Sequence, residues 1–208
     1  MNPKAQLWTR QFIGIASINI FLFTSNQLQL SSLPVYIYEL TGSDYIVGIS
    51  ASLATLAALL MRPVAGMAID RLGRKRLLLT GIALLMLALF LYTVFKVIAV
   101  ILAIRFIFGM GWGISTTSSN TIATDTIPRA RFGEGMGYFS LSQSLSLALA
   151  PIIGLALLES IEFKGLCIVS IIILLSAVVI SNFLKYQKPP EKKKKLAPYE
   201  KSAVKPAI

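Results

Sequence analysis

The chain has 208 residues, of which 55% are hydrophobic and 14% charged, with 20 Lys and Arg against 9 Asp and Glu for a formal net charge of +11. A mean hydropathy of +0.73 excludes an ordinary soluble domain, in which about 25% of residues are charged, and one cysteine with no histidine excludes disulfide frameworks, zinc sites and a histidine proton relay. The chain reads as an all-α integral membrane protein. Its basic residues, split among loops and a tail, fit an anionic lipid surface and not nucleic acid.

From the start, a short polar segment with Lys4 and Arg10 precedes an apolar run over residues 12–33 that stops at Pro34. It lacks a small-residue cleavage site and further spans follow, so it is a first membrane helix and not a signal peptide. The run is unusually polar, with Asn19, Thr24, Asn26, Gln27 and Gln29. At 100° per residue Asn19 and Asn26 fall within about 20° of each other. That face either lines a cavity or ties helices together by hydrogen bonds. Glu39, Thr41, Gly42, Ser43 and Asp44 form a first external loop.

A second helix over residues 46–69 runs into a charged connection, RPVAGMAIDRLGRKRLLL. Glycine at 73 permits a reversal through positive φ, and Asp70 can pair with a guanidinium or face a helix N-terminus. The basic residues hold this hairpin in the cytoplasm. The string Gly66-x-x-x-Asp70-Arg71-x-Gly73-Arg74-Lys75-Arg76, preceded by Arg62-Pro63, resembles the signature loop between the second and third helices of the major facilitator superfamily. The resemblance implies that Gly66, Asp70, Arg71, Gly73, Arg74 and Lys75 gate the cytoplasmic side.

The third helix, residues 76–95, is the most uniformly aliphatic and is expected to face lipid over much of its surface. Lys96 marks its outer end. The fourth, residues 97–123, carries Arg105, then Gly109, Gly111 and Gly113 and a hydroxyl run from Ser115 to Thr121. Arg105 lies about 12 Å into the span, where charge is costly, so it should face the bundle interior. Arg105-x-x-x-Gly109-x-Gly111 is similar to a fourth-helix motif of proton-coupled members of the superfamily, which implies a part for Arg105 in substrate binding or proton movement. Read from the residues alone, Arg105 either snorkels outward or holds helices together, and Gly109 with Gly113 forms a small-xxx-small packing face that needs no ligand.

Asp125, Pro128, Arg129, Arg131 and Glu134 build a second charged hairpin. The resemblance implies a charge network between the two hairpins, with Asp125 and Arg131 as partners for Arg74 or Asp70; simple solvation is the alternative. The fifth helix, residues 133–158, carries a stripe of small residues, Gly137, Ser140, Ser144 and Ala148, expected to let another helix approach. Ala150-Pro151-x-x-Gly154 is faintly similar to the fifth-helix motif of the drug-antiporter branch, but lacks its first and final glycines. A short external loop with Glu159, Glu162 and Lys164 leads to a sixth span over residues 163–184, and from Lys185 the composition turns into a basic tail with the Lys192–Lys195 cluster.

External loops hold only Lys96 and Lys164, which places both termini in the cytoplasm of a multi-pass cell-membrane protein. The expected organisation is a six-helix bundle over residues 1–186 and a basic linker over 187–208, equivalent to the N-terminal half of a major facilitator fold. The resemblance implies secondary transport of a small solute by alternating access, in the efflux direction, with Asn19, Asn26, Gln27 and Arg105 along the substrate path. The partner is a C-terminal six-helix half or a second copy. Protons as coupling ion stay open, because the first helix has no embedded acid. No enzymatic activity, cofactor or metal is expected. The alternative is a truncated or non-transporting membrane component, a regulator or remnant.

Overall fold

The structure is a computed structural model that describes residues 6–184; Lys4, the lysine cluster and the linker expected at 187–208 lie outside the described residues. Within the described residues five α-helices follow one another: α1 Arg10–Thr41, α2 Asp44–Leu72, α3 Arg74–Val94, α4 Ile98–Thr126 and α5 Phe132–Phe183, with one turn of 3-10 helix at Arg129–Arg131 before α5. Among the described residues, α2, α3, α4 and the Arg129–Phe183 stretch are long and apolar enough to cross a membrane. At 32 residues α1 has the length, but its amides and hydroxyls lower its hydropathy.

Thr9 starts α1 by accepting a hydrogen bond from Phe12 N at 3.2 Å, and Gly42 ends it at φ +63° with its N–H on Tyr38 O. The expected stop at Pro34 does not occur: the helix continues through the proline to Thr41. Proline removes one backbone bond, but packing on both sides holds the helix, since Leu33 and Ile37 are fully buried.

The fifth and sixth expected helices are likewise joined without a loop. A straight helix of 52 residues would span about 78 Å, far more than a bilayer's hydrocarbon core of about 30 Å. Glu162 resolves this with non-helical torsions, φ 58° and ψ 172°. The two arms then return along the same neighbour. Gly135 lies against Leu7 and Gly154 against Ser31; beyond the break Phe163 stacks on Tyr36, and Leu184 reaches back to Gly14. Residues 132–161 and 163–183 therefore run antiparallel beside α1.

Most of the core lies in one cluster fed by α1, α3, α4 and α5, with Phe12, Ile18, Ile82, Leu85, Phe139 and Leu174 among its buried members. In their most apolar stretches α3 is 44% buried and α2 only 17%, so more than half of that stretch of α3 stays unburied and α2 is more exposed still. The reason is spacing: Leu78, Ile82, Leu85, Leu89 and Tyr92 put one continuous face of α3 into the core. In contrast, α2 contributes only Ser50, Ala57, Ala58, Ala65 and Ile69.

Candidate functional site

At the α2–α3 hairpin one glycine forms both helix boundaries. Gly73, at φ +86°, donates to Ile69 O at the end of α2 and accepts from Leu77 N at the start of α3. A side chain there would be strained. Arg74, Lys75 and Arg76 occupy the first turn of α3, where the helix dipole disfavours cations. Two contacts offset this: Arg74 forms a 2.6 Å ion pair with Asp125 at the end of α4, and Lys75 Nζ donates to Asn182 O at 3.4 Å near the end of α5. The hairpin is thus tied to α4 and to the last arm of α5. One edge of the Arg131 guanidinium, Nε and Nη2, donates to Glu134 at 2.7 and 2.6 Å within the second hairpin.

Asp70, Arg71 and Gly66 lie on an open face. Asp70 is exposed and forms no ion pair among the described residues. A β-carbon added at Gly66 would meet nothing within 4 Å. Packing among the described residues therefore does not account for a glycine at 66.

Inside the bundle, α1 is sewn to α5 and α4 by polar contacts. Asn19 Nδ2 donates to Ser142 Oγ at 2.8 Å, and Ser119 Oγ donates to Asn19 Oδ1 at 3.4 Å. Further along, Thr24 Oγ1 and Ser146 Oγ share a hydrogen bond of 3.1 Å, and Gln29 Nε2 contacts Ser170 Oγ at 3.5 Å. Of the four residues expected along a path, Asn19 is thus fully engaged between helices. Gln27 is buried and Asn26 half-buried, and neither side chain makes a hydrogen bond among the described residues. Arg105 is only 3% exposed. Its guanidinium sits 5.6 Å from the Phe108 ring centre and in electrostatic and hydrogen-bonding contact with Tyr92, while Arg105 Nε has no hydrogen-bond partner among the described residues.

The glycines after Arg105 divide by face. A β-carbon at Gly109 would collide with Ala54 O of α2, and one at Gly113 would lie 2.6 Å from Ala58 O of the same helix. Gly111 faces α3, where its β-carbon would come within 2.9 Å of Gly81 O. The spacing of four at 109 and 113 thus works as a packing face. On α5 the small-residue stripe of Gly137, Ser140, Ser144 and Ala148 is exposed, whereas Gly135, Phe139, Ser142, Ser146, Ala150 and Gly154 are buried. The close contacts within this bundle are thus made by a second set of small residues on α5.

Sequence reasoning missed Ser142, Ser146, Ser170 and Tyr92. The only available signal was the i, i+4 pair of serines at 142 and 146, on the same side as Phe139 and Ala150.

Together these features define a multi-pass, all-helical membrane bundle whose hairpin is charged and whose interior is closed by small residues and amides. The sequence profile of the Major Facilitator Superfamily matches residues 15–207, and the chain belongs to that family. It is 30% identical over 145 residues to the "Quinolone resistance protein NorA" of Staphylococcus aureus strains MRSA252 and N315, a match covering 68% of this chain and 37% of that protein. It is also 37% identical over 87 residues to an "Uncharacterized MFS-type transporter" of Pseudomonas aeruginosa (strain LESB58), covering 39% of this chain and 22% of that protein. The matched region is thus little more than a third of the staphylococcal relatives' own length and less than a quarter of the Pseudomonas one's.

Proposed function

We propose that the chain is one half of a secondary transporter that exports a small organic solute by alternating access. The observation that carries this reading is the open face of the bundle: α2 is only 17% buried in its apolar stretch, and Gly66 and Gly137 have empty space where a neighbour's side chains would fit. A bilayer accepts exposed apolar residues, but it gives no reason for glycines on that face; a second bundle does. The name of the staphylococcal relatives, which cites quinolone resistance, supports export over import. In this reading the two arms of α5 are the fifth and sixth spans, α1 is the first despite its polarity, and both termini face the cytoplasm.

The partner is a C-terminal six-helix half or a second copy of the chain. Asn19, Asn26, Gln27 and Arg105 form the wall of the solute path, Asn26 being the most exposed of the four. Gly66, Asp70, Arg71, Gly73, Arg74, Lys75 and Asp125 form the cytoplasmic gate, in which the Arg74–Asp125 pair locks the hairpin to α4 and Asp70 is free to bind the partner. Arg131 steadies the second hairpin through Glu134. Coupling to protons fits this arrangement only if the partner half supplies the acid.

The test is flux in liposomes. The chain reconstituted at a dilution that holds it monomeric should show no saturable uptake, and uptake should appear when a six-helix partner half is incorporated with it. Saturable, solute-specific uptake by the diluted chain alone would overturn the two-bundle reading.

A further inference from the structure

The unpartnered cation inside the bundle has a second consequence. Arg105 is buried, yet the two ion pairs among the described residues are Arg74–Asp125 and Arg131–Glu134. Every described carboxylate lies near a helix end or at the Glu162 break, and none is in electrostatic contact with Arg105. A lone charge buried this way is costly unless an opposite charge accompanies it. The ring of Phe108 at 5.6 Å recovers only part of that cost.

The groups around Arg105 are of one kind. Arg105 Nε is a donor only and has no partner among the described residues, and the Tyr92 hydroxyl, whose oxygen faces the guanidinium, keeps its hydrogen to donate. Phe163 approaches Tyr92 edge to face at 6.0 Å, so the surroundings are aromatic. Two donors, one of them carrying a full positive charge and neither facing a carboxylate, match a ligand with a negative charge and no need for donors of its own. Water would satisfy the hydrogen bonds but leave the charge uncompensated.

We propose that Arg105 and Tyr92 hold a halide-sized monovalent anion within the bundle, toward the end opposite the α2–α3 hairpin. Arg105 supplies the charge, and Tyr92 directs one O–H at the ion. The anion neutralises the fourth helix where it meets α3, so its binding stabilises the fold. Arg105 also belongs to the proposed wall of the solute path, but this site is read from stability and not from flux, so its failure and the failure of the transport reading are told apart.

The experiment is thermal unfolding of the 208-residue chain in detergent, with chloride or bromide replacing gluconate at constant ionic strength. The melting temperature should rise with the logarithm of halide concentration above the dissociation constant. Arg105→Gln should abolish that dependence. Tyr92→Phe, which removes a single hydroxyl, should shift the halide concentration needed several-fold upward, and it carries the test should the Arg105 variant fail to fold. A melting temperature that ignores the identity of the anion, a halide response retained in Arg105→Gln, or an unchanged concentration dependence in Tyr92→Phe would each overturn the site.

Discussion

The bundle is joined along two kinds of seam. Where α4 meets α2 and α3, helices touch backbone to backbone: Gly109 on Ala54, Gly113 on Ala58, Gly111 on Gly81. Where α1 meets α5, side chains hold the helices through Asn19 with Ser142, Thr24 with Ser146 and Gln29 with Ser170. In a membrane the hydrophobic effect does not bring helices together, so association rests on close van der Waals packing and on interhelical hydrogen bonds. This chain uses one mechanism on each side of its centre. The difference is one of tolerance. A glycine seam has no room to yield, because its neighbour is backbone. A polar seam can lose one bond and keep its shape.

The largest effect should therefore follow a change in the glycine seam. Gly109→Val would drive two methyl groups into the α2 backbone at Ala54, and overpacking of this kind costs about 3 kcal/mol or more where the backbone must move. The variant should lose its monodisperse peak in size-exclusion chromatography and melt well below the parent. A folded, monodisperse Gly109→Val would show that α2 is not seated on α4 as described.

The polar seam should respond less. Asn19→Ala removes hydrogen bonds to two helices at once, yet an interhelical hydrogen bond in a membrane contributes about 0.6 kcal/mol and at most about 1.7. A loss of about 1 kcal/mol in unfolding free energy is expected, with the protein still folded. Pairing it with Ser142→Ala in a double-mutant cycle should return a coupling of about 0.6 kcal/mol. Independent effects would mean that the 2.8 Å contact between Asn19 and Ser142 contributes nothing measurable.

The two seams also differ in how far the sequence revealed them. Gly109 and Gly113 stand four apart on one helix, so their common face follows from helical geometry alone. The hairpin was legible for a similar reason: Gly73, Arg74 and Lys75 are consecutive, and a basic reversal between apolar runs has few structural solutions. The amide seam was legible on one side only. Asn19 announces itself in an apolar helix, but its partners Ser119 and Ser142 lie 100 and 123 residues away, and nothing local separates them from the other serines. One boundary misled for a physical reason: Pro34 looks like a stop, but flanking residues buried in the core carry the helix past it. The break at Glu162 falls within the short charged loop that Glu159, Glu162 and Lys164 marked, and it needs only that one residue.

An intermediate case is the Arg74–Asp125 pair, whose side chains remain 24% and 30% exposed. Such pairs contribute about 0–1 kcal/mol, so Asp125→Asn should hardly change the melting temperature of this chain. In a complete two-half transporter the same change should alter transport more than stability, as expected of a lock between conformations. A large loss of stability with transport intact would make the pair a structural brace.

The smallest effect, and the most informative about what lies outside the chain, concerns the second glycine face of α5. Two glycines stand two residues apart and differ completely in surroundings. A β-carbon at Gly135 would come within 2.6 Å of Ile127 and 2.9 Å of Leu7, whereas one at Gly137 would meet nothing within 4 Å. Mid-helix glycine costs roughly 0.5–1 kcal/mol relative to alanine. Gly137→Ala should therefore leave the isolated chain unchanged or stabilise it by about 0.5 kcal/mol, while Gly135→Ala should destabilise it as Ile127 and Leu7 are displaced. If the exposed stripe of Gly137, Ser140, Ser144 and Ala148 is where a second bundle packs, larger substitutions there should be silent in the single chain and harmful only once the partner is present. Gly137→Leu separates the cases: an unchanged melting temperature alone combined with weakened association in co-reconstituted liposomes assigns the stripe to the partner. A melting temperature that falls in the isolated chain would show that the α5 face turns inward after all.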